Sequence, residues 1–447
     1  MNHTEKTFAM ATLAVAIAGL VSADCPDYTG KLEFLCNPNA TVAKWQGTNL
    51  AKRISRTTMS LHPHKGKLYT SGGEWNANTG PCPIFTINPE DGTFTNAFTA
   101  GTETIWYFRE DSAGRLYAAG VDQKEGTKTR GAYFRMDREN VWTNLLTVPF
   151  GSVTNIGMQG YSVHTWDLCC WKGKVFTAGY GIASGPEGSD EKMDDATPDL
   201  KDCHMRWKGS FTFVPGPNST NKEPRTIERT MGMFRRFYSF LPFEDDLYCY
   251  PMTVCSTNFN KAGTIEEWRY DEAGGKFVCQ TNLLANLVPD KRNSHTNALR
   301  ASNFAVVFWH ATPYKGRVLY IVGNESQRTH PWYACSATND NHTVVATRIG
   351  LEENEYPFCL AKGDGKALLL AARYTGPGKD IVNTVLESED GLAFERKFSF
   401  RTRQPALAVA LMDGTYYFGM GAGYKVEKYW KTPENAEEDG AIYRIRP

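Results

Sequence analysis

The sequence predicts an all-β protein built as a seven-bladed β-propeller, with four antiparallel strands in each blade. A short pattern of a turn followed by an apolar strand recurs seven times along the chain of 447 residues. Polar hairpin turns follow several of these strands. The composition agrees, because 13% aromatic residues, 40 glycines and 22 prolines suit short strands and tight turns better than a helical bundle.

The recurring pattern starts at a turn residue, usually glycine, and continues as an apolar or aromatic strand. Its copies read GKLYTSGG from Gly66, GRLYAAG from Gly114, GKVFTAG from Gly173, DDLYCYP from Asp245, GRVLYIVG from Gly316, GKALLLAA from Gly365 and GTYYFGMG from Gly414. Successive copies are 48, 59, 72, 71, 49 and 49 residues apart. Near-regular spacing of this kind predicts one blade for each copy. The strand before each turn is then the innermost of its blade, and the strand after the turn is the second.

Polar hairpins supply the third and fourth strands of each predicted blade. In NPEDG before Phe94, DREN before Trp142 and DEAGG before Phe277, the turn residues tolerate the positive φ angles of tight hairpins. The aromatic residue that follows each turn is expected to pack between adjacent blades.

The last blade needs a strand from the start of the chain. Residues 441–445 supply its third strand, and the sequence ends at Pro447. An incomplete blade would expose its edge. We therefore expect residues 41–47, which include the run TVAKW, to add the fourth strand and close the ring. Residues 24–447 would form one propeller domain.

The blade motif resembles those of known propeller families. The pair Gly72-Gly73 after a strand, followed by a strand, an Asx-Pro turn and an aromatic residue, resembles a Kelch-type propeller. The run SEDGLAF that starts at Ser388 resembles a degenerate Asp box of sialidase-type propellers. The resemblance covers residues 41–447 and implies the fold, but not an activity, because propellers serve many functions.

The N-terminus has the features of a signal peptide. Residues 8–21, FAMATLAVAIAGLV, form an apolar run that is short for a membrane span and is followed by the small-residue pattern VSA at residues 21–23. Residues 1–23 are therefore predicted to direct export, which makes the protein secreted or periplasmic. A buried N-terminal helix is the alternative. No later stretch is long and apolar enough to cross a membrane.

An exported chain with eleven cysteines is expected to contain one to three disulfides. Cys25 and Cys36 could close a small N-terminal loop, whereas a bridge between the adjacent Cys169 and Cys170 would be strained. The sequence has no CxxC or HxxxH zinc signature, and no cofactor is predicted. The acidic insertion at residues 183–203 could bind calcium, but the ordered D-x-D-x-D-G spacing is absent, so a solvated flexible loop is the favoured interpretation.

The charge balance restricts the partners. With 49 basic and 49 acidic residues the formal net charge is zero, which argues against a broad electrostatic grip on nucleic acid or on an anionic membrane. A carbohydrate or a surface protein is the expected partner, and a monomer is the expected state.

The residue nine positions before each turn is expected at the start of the innermost strand, at the mouth of the central channel. This brings His164, Arg236 and Tyr356 to comparable depth. Histidine can accept a proton, tyrosine can donate one, and arginine can hold a carboxylate and stabilise a developing enolate. These three are the predicted catalytic residues of a lyase that cleaves an acidic polysaccharide by β-elimination. The predicted substrate-binding residues are Arg56, Arg235, Arg403 and Trp166.

Each of these residues also has a purely structural interpretation, such as a hydrogen bond between blades, a salt bridge or packing. The second hypothesis is therefore a non-catalytic propeller that binds a glycan or a protein. The lyase hypothesis requires His164, Arg236 and Tyr356 to converge in one pocket, whereas the binding hypothesis allows them to lie apart. The sequence leaves open whether the protein is an enzyme.

Overall fold

A computed structural model describes most of the predicted domain. The described residues are 25–42, 57–73, 80–123, 131–146, 165–179, 181–190, 194–195, 211–213, 225–227, 237–251, 253–255, 267–280, 304–324, 332–376, 379–421 and 438–447. The predicted signal peptide lies outside these ranges. No helix among the described residues is long and apolar enough to cross a membrane.

The strands assemble into seven antiparallel blades, as the sequence predicts. Two short 3-10 helices, Thr29–Lys31 and Pro38–Val42, lie before and after β1 (Glu33–Cys36). Blade 1 contains β2 (Ser60–His64), β3 (Lys67–Ser71), β4 (Cys82–Ile87) and β5 (Phe94–Ala100). The short β6 (Thr102–Thr104) pairs with β8 of blade 2, which contains β7 (Phe108–Glu110), β8 (Leu116–Gln123), β9 (Ala132–Arg138) and β10 (Val141–Leu146). Blade 3 contains β11 (Thr165–Trp171), β12 (Lys174–Gly179), β13 (Gly181–Pro186) and β14 (Asp194–Asp195).

The remaining strands follow the same order. A separate hairpin of β15 (Phe211–Phe213) and β16 (Arg225–Ile227) precedes blade 4. Blade 4 contains β17 (Phe237–Pro242), β18 (Leu247–Pro251), β20 (Glu267–Asp271) and β21 (Lys276–Gln280). The short β19 (Thr253–Cys255), which follows β18 in the chain, pairs with β22 of blade 5. Blade 5 contains β22 (Phe304–Tyr314), β23 (Arg317–Asn324), β24 (Tyr333–Asp340) and β25 (Thr343–Arg348). Blade 6 contains β26 (Glu355–Gly363), β27 (Lys366–Tyr374), β28 (Ile381–Ser388) and β29 (Glu395–Thr402), and blade 7 contains β30 (Ala406–Met412), β31 (Thr415–Met420), β32 (Ile442–Ile445) and β1.

The recurring turn joins the innermost strand to the second strand, which confirms the strand assignment. In blade 1 the turn residues Lys65 and Gly66 have φ angles of 49° and 74°. In blade 7 Asp413 and Gly414 have 50° and 73°. Two successive positive φ angles define the tight hairpin turn whose twist matches that of the flanking strands. We call the face of the propeller that carries these turns the turn face.

The core lies between the blades and is rich in aromatic side chains. Phe277, which follows a polar hairpin in blade 4, is 1% exposed and packs against Phe176 of blade 3 with ring centroids 5.9 Å apart. Trp142, which follows the hairpin of blade 2, packs against Tyr69 of blade 1 at 6.4 Å. The predicted packing of these aromatic residues between adjacent blades is thus observed.

The ring is closed by an N-terminal strand, but this strand lies earlier than predicted. β1 pairs with β32, with Glu33 opposite Arg444 and Phe34 opposite Tyr443. Arg444 Nε donates to Glu33 Oε2 at 2.9 Å. The predicted segment 41–47 does not hold this position, because its first two residues belong to the 3-10 helix Pro38–Val42 and residues 43–47 lie outside the described residues.

The turn after β1 explains why the closing strand is the earlier one. Asn37 Nδ2 donates to Asp439 O at 3.0 Å. The buried Asn39 donates to Thr58 Oγ1 at 2.9 Å. These two bonds hold the residues that follow β1 against Asp439 and Thr58. The pairing of β1 with β32 is therefore complete before residue 41.

The residues before β1 form a strap along blade 6. Tyr28 N donates to Ser399 O at 2.7 Å, and Ser399 N donates to Pro26 O at 2.8 Å. The Tyr28 ring stacks on Phe398 with centroids 4.9 Å apart. The N-terminal segment therefore holds blade 6 before it completes blade 7.

The expected disulfides are not found among the eight cysteines whose side chains the structure describes, which are Cys25, Cys36, Cys82, Cys169, Cys170, Cys249, Cys335 and Cys359. The bridge suggested for Cys25 and Cys36 is ruled out by the course of the chain. Cys25 lies beside Arg396 and Ser399 of blade 6, whereas Cys36 is buried at the outer edge of blade 7. The segment between them is extended along both blades and does not bring the two thiols together.

Removal of residues 1–36 should destabilise the ring, because it exposes the edge of β32 and removes the strap from blade 6. We expect a Tm about 10 °C below that of a chain lacking only residues 1–24, measured by circular dichroism. Equal melting temperatures for the two truncated chains would contradict this account of closure.

Candidate functional site

Four of the predicted site residues lie outside the described part of the chain. These are His164, Arg236, Arg235 and Arg56. The convergence of His164, Arg236 and Tyr356 in one pocket therefore stays a prediction. Tyr356, Arg403 and Trp166 are described.

The three described residues lie in different surroundings. Tyr356 is partly buried near the start of β26, next to Leu407. Arg403 is exposed, and its Nε lies 3.2 Å from Asp380 Oδ1. Trp166 is fully buried and stacks on Tyr238 at 4.7 Å, so it offers no surface on which a sugar ring could stack.

Trp166 belongs to a ring of large apolar side chains at equivalent positions of the seven innermost strands. We call this ring the axial belt, and its members are Met59, Trp106, Trp166, Tyr238, Trp309, Phe358 and Leu407. Trp106 of blade 2 contacts Trp309 of blade 5 with centroids 4.7 Å apart, although these blades are not neighbours. The belt therefore crosses the propeller axis and fills the channel at this level.

Irregular strand pairing accompanies the belt in five blades. The pairing of the innermost strand with the second strand shifts register between Thr165 and Asp167, Phe237 and Phe240, Trp309 and Thr312, Pro357 and Cys359, and Ala406 and Ala408. A β-bulge inserts one residue and redirects a side chain. In four of these blades the belt residue itself lies within the shifted segment.

Below the belt, a pocket of about 460 Å³ extends along the axis to the ends of the innermost strands. Met59 and Trp106 line its inner end, and Glu110, Pro313 and Asp364 line its other end at the turn face. We call this cavity the axial pocket. Its size is typical of a site for a small ligand, and its inner end is closed by the belt.

The most buried ion pair in the pocket wall links blades 2, 3 and 4. Arg109 Nε and Nη2 donate to the two carboxylate oxygens of Asp167 at 3.0 and 2.9 Å. Ser239 Oγ donates to Asp167 Oδ2 at 2.6 Å, and Leu168 N donates to Oδ1 at 2.8 Å. The Asp167 carboxylate is thus fully occupied by donors within the protein.

A second group joins blade 1 to blade 2. His62 Nε2 and His64 Nδ1 lie 3.1 and 2.7 Å from the same oxygen, Glu110 Oε1. These hydrogen bonds hold the pKa of Glu110 far below its usual range. Desolvation lowers the pKa of His62, which favours its neutral form. The His64 Nε2 atom is buried without a partner in the described structure, so its proton is assigned to Nδ1, which faces the carboxylate.

Lys362 differs from the other charged residues of the wall. Its side chain is exposed in the pocket, and among the described residues it forms no ion pair. Desolvation within the pocket and the positive charge of Arg109 lower the pKa of Lys362, while Glu110 acts in the opposite direction. It is therefore available to a ligand.

Two cysteines and a tyrosine of the wall are unsuited to proton transfer or nucleophilic attack at neutral pH. Burial raises the pKa of Cys359 to about 11 and raises that of Cys169 further. Burial also raises the pKa of Tyr107, whose oxygen accepts a hydrogen bond from His310 N at 3.2 Å. No group of three or more His, Cys, Asp or Glu side chains in the described ranges is arranged to hold a metal ion.

Sequence reasoning missed the axial pocket because it examined the opposite ends of the innermost strands. Counting back nine positions from each turn leads to the far mouth. Counting back three or four positions leads to His62, Glu110 and Lys362. The His62-Pro63-His64 run beside the turn was a visible signal. Asp167 joins the innermost strands of the two blades that flank its own, through Arg109 and Ser239.

No protein-family model and no curated protein matches this chain. Among solved structures it is similar to the WD40 β-propeller domain of Doa1, with 13% identity, 93% of this chain and 96% of that chain covered, and a TM-score of 0.42. It is also similar to an α-L-arabinanase of Penicillium chrysogenum in complex with arabinobiose (9% identity, 93% and 98% covered, TM-score 0.39). A third similar structure is the β-propeller domain of the Trilobed protease from Pyrococcus furiosus (9% identity, 82% and 90% covered, TM-score 0.41). These distant similarities carry no functional argument.

Loss of Asp167 should destabilise the protein strongly, because it leaves the guanidinium of Arg109 in the wall without its counter-ion. We expect Asp167→Ala to lower the free energy of unfolding by about 3 kcal/mol, measured by urea denaturation. The double variant Asp167→Ala/Arg109→Met should be more stable than Asp167→Ala alone, since it removes the unpaired charge. A double variant that is less stable than Asp167→Ala would refute this account of the pair.

Proposed function

We propose that this protein is a binding propeller that takes the end of a glycan chain into the axial pocket. The observation that carries the proposal is the pocket itself, which is open at the turn face and closed by the axial belt. It combines an apolar inner end, formed by Met59, Trp106 and Tyr107, with polar side chains nearer the opening. Mixed walls of this kind are typical of small-ligand sites.

The state of the ionisable groups favours binding over catalysis. General acid–base catalysis is most efficient when the pKa of the catalytic group lies near the operating pH. Asp167 is saturated with hydrogen bonds, Glu110 has a strongly lowered pKa, and Cys359 has a raised pKa. These groups hold neighbouring blades together and do not form a reactive pair.

The closed inner end favours a chain end over the middle of a polymer. A chain cannot thread through the axis, since the indoles of Trp106 and Trp309 meet across it. The pocket therefore fits a terminal residue or a short branch.

The test is binding of mature protein to neutral and uronate-rich polysaccharides before and after partial hydrolysis, by isothermal titration calorimetry. Hydrolysis raises the number of chain ends at constant mass, so the number of binding sites per unit mass should rise with it. Ala361→Tyr, which adds an aromatic ring at a partly buried position of the pocket wall, should weaken binding at least about tenfold. The control Ala273→Tyr, in an exposed hairpin, should bind normally.

Two results would count against the proposal. Binding that scales with polymer mass would argue for recognition along the chain. Equal affinity of Ala361→Tyr and the unmodified protein would exclude the axial pocket as the site.

Cleavage of an acidic polysaccharide by β-elimination is the second candidate function. The position of Tyr356 favours it, because this residue precedes Phe358 on β26 and so lies on the far side of the belt, toward the other mouth. His164 and Arg236 would complete the catalytic set, with Arg56, Arg235 and Arg403 as substrate contacts. The absorbance of unsaturated uronate ends should then rise and should be lost in His164→Ala and Tyr356→Phe. A flat trace with every uronate polymer would eliminate this function.

Export belongs to the same proposal. The apolar run at residues 8–21 would place the protein in the periplasm or outside the cell, where glycans are accessible. A monomeric state and the Kelch-type or sialidase-type resemblance of the blade motif remain predictions.

A further inference from the structure

We propose that the glycan end taken by the axial pocket carries a carboxylate, which Lys362 and the protonated form of His62 hold together. This inference rests on the proposed function and deepens it by naming the ligand chemistry and its control by pH. Two independent features carry it. One is a lysine in the pocket wall that forms no ion pair with the described residues, and the other is a histidine of the same pocket whose orientation is fixed by a carboxylate.

The charges of the described wall show why one lysine is not sufficient. The wall contains two basic side chains, the guanidinium of Arg109 and the amine of Lys362, and three carboxylates, Glu110, Asp167 and Asp364. Arg109 and Asp167 cancel each other. Asp364 accepts hydrogen bonds from two neutral donors, Asp413 N at 3.2 Å and Gly414 N at 2.7 Å. With neutral histidines the wall is one unit negative, so an anion gains little from Lys362 alone.

His62 can supply the missing positive charge. It is bound to Glu110 through Nε2, which fixes the ring, and its other nitrogen has no protein partner in the described structure. Its side chain is 27% exposed and lines the pocket, whereas that of His64 is 3% exposed. His62 is therefore the histidine of this pair that can receive a proton from solvent and present it to a ligand.

The groups that face His62 determine the sign of the pH dependence. Glu110 on β7 favours the imidazolium form, whereas Arg109 on β7, His64 on β2 and desolvation oppose it. Asp167 on β11 is neutralised by Arg109. The wall also contains Lys362 and Asp364, on or beside β26, and the histidine His310 on β22. The net effect in the free protein is a lowered pKa for His62. A bound carboxylate would raise this pKa, so binding takes up a proton and is tighter in mild acid.

The test uses three pairs of monosaccharides: galacturonate with galactose, glucuronate with glucose, and mannuronate with mannose. Calorimetric titrations at pH 5.5 and 7.5, in two buffers of different ionisation enthalpy, give both affinity and proton uptake. The acid of at least one pair should bind more tightly than its neutral partner, take up a proton, and bind about tenfold more weakly at pH 7.5 than at pH 5.5.

Variants assign the effect to the two residues. His62→Gln keeps an amide donor for Glu110 but cannot titrate, so it should lose both the proton uptake and the pH dependence. Lys362→Gln should remove the preference for the acid over its neutral partner. The controls His342→Gln and Lys397→Gln change exposed residues far from the pocket and should behave as the unmodified protein.

The outcomes separate the two proposals. Equal binding of acids and neutral sugars, or pH dependence that persists in His62→Gln, would overturn the carboxylate inference and leave the binding propeller intact. Absence of binding for all six sugars at both pH values would overturn the proposed function and this inference with it.

Discussion

The architecture depends on how seven innermost strands meet at one axis. A propeller of this size leaves a channel, and the chain fills it with the axial belt, in which indoles from opposite blades are in contact. Regular strands would alternate their side chains between the two flanking blades. The register shifts in five innermost strands break this alternation at or beside the belt. The belt then divides the axis into two separate ends, and this division creates a pocket with a closed base.

The polar groups beneath the belt have a structural role as well as a chemical one. Arg109, Asp167 and Ser239 join three consecutive blades, and His62, His64 and Glu110 join the first blade to the second. Burying a charged group costs free energy unless it is paired, so most charges of this wall have a partner within the protein. Most charged groups of the wall are engaged in these pairs. Among the described basic residues of the wall, Lys362 is the one that a ligand can still reach. The same arrangement supports the proposal that the pocket binds a ligand and does not catalyse a reaction.

The fold could be predicted from the sequence because each blade repeats a local signal. The Lys65-Gly66 and Asp413-Gly414 turns require positive φ angles, and the apolar strands that follow them have few alternatives. The closing strand was misplaced because EFLC at residues 33–36 and TVAKW at residues 41–45 are both short strand-like runs. Only the contacts of Asn37 and Asn39 with distant residues decide between them. The pocket was not predicted because strand register at the axis depends on bulges, which have no local signature. Trp166 illustrates this point, since the sequence suggests an exposed sugar contact and the bulge places it in the belt.

The closing strand has a consequence for how the protein folds. Glu33 and its partner Arg444 are 411 positions apart in the chain. The entropy cost of joining such distant segments grows only slowly with loop length, but the contact cannot form until the last strand has been synthesised. Six blades can therefore assemble while β1 still has no partner, and the seventh is completed by the two termini together. An exposed strand edge on a nearly finished ring is open to pairing with another chain, so the final step is the one most sensitive to protein concentration.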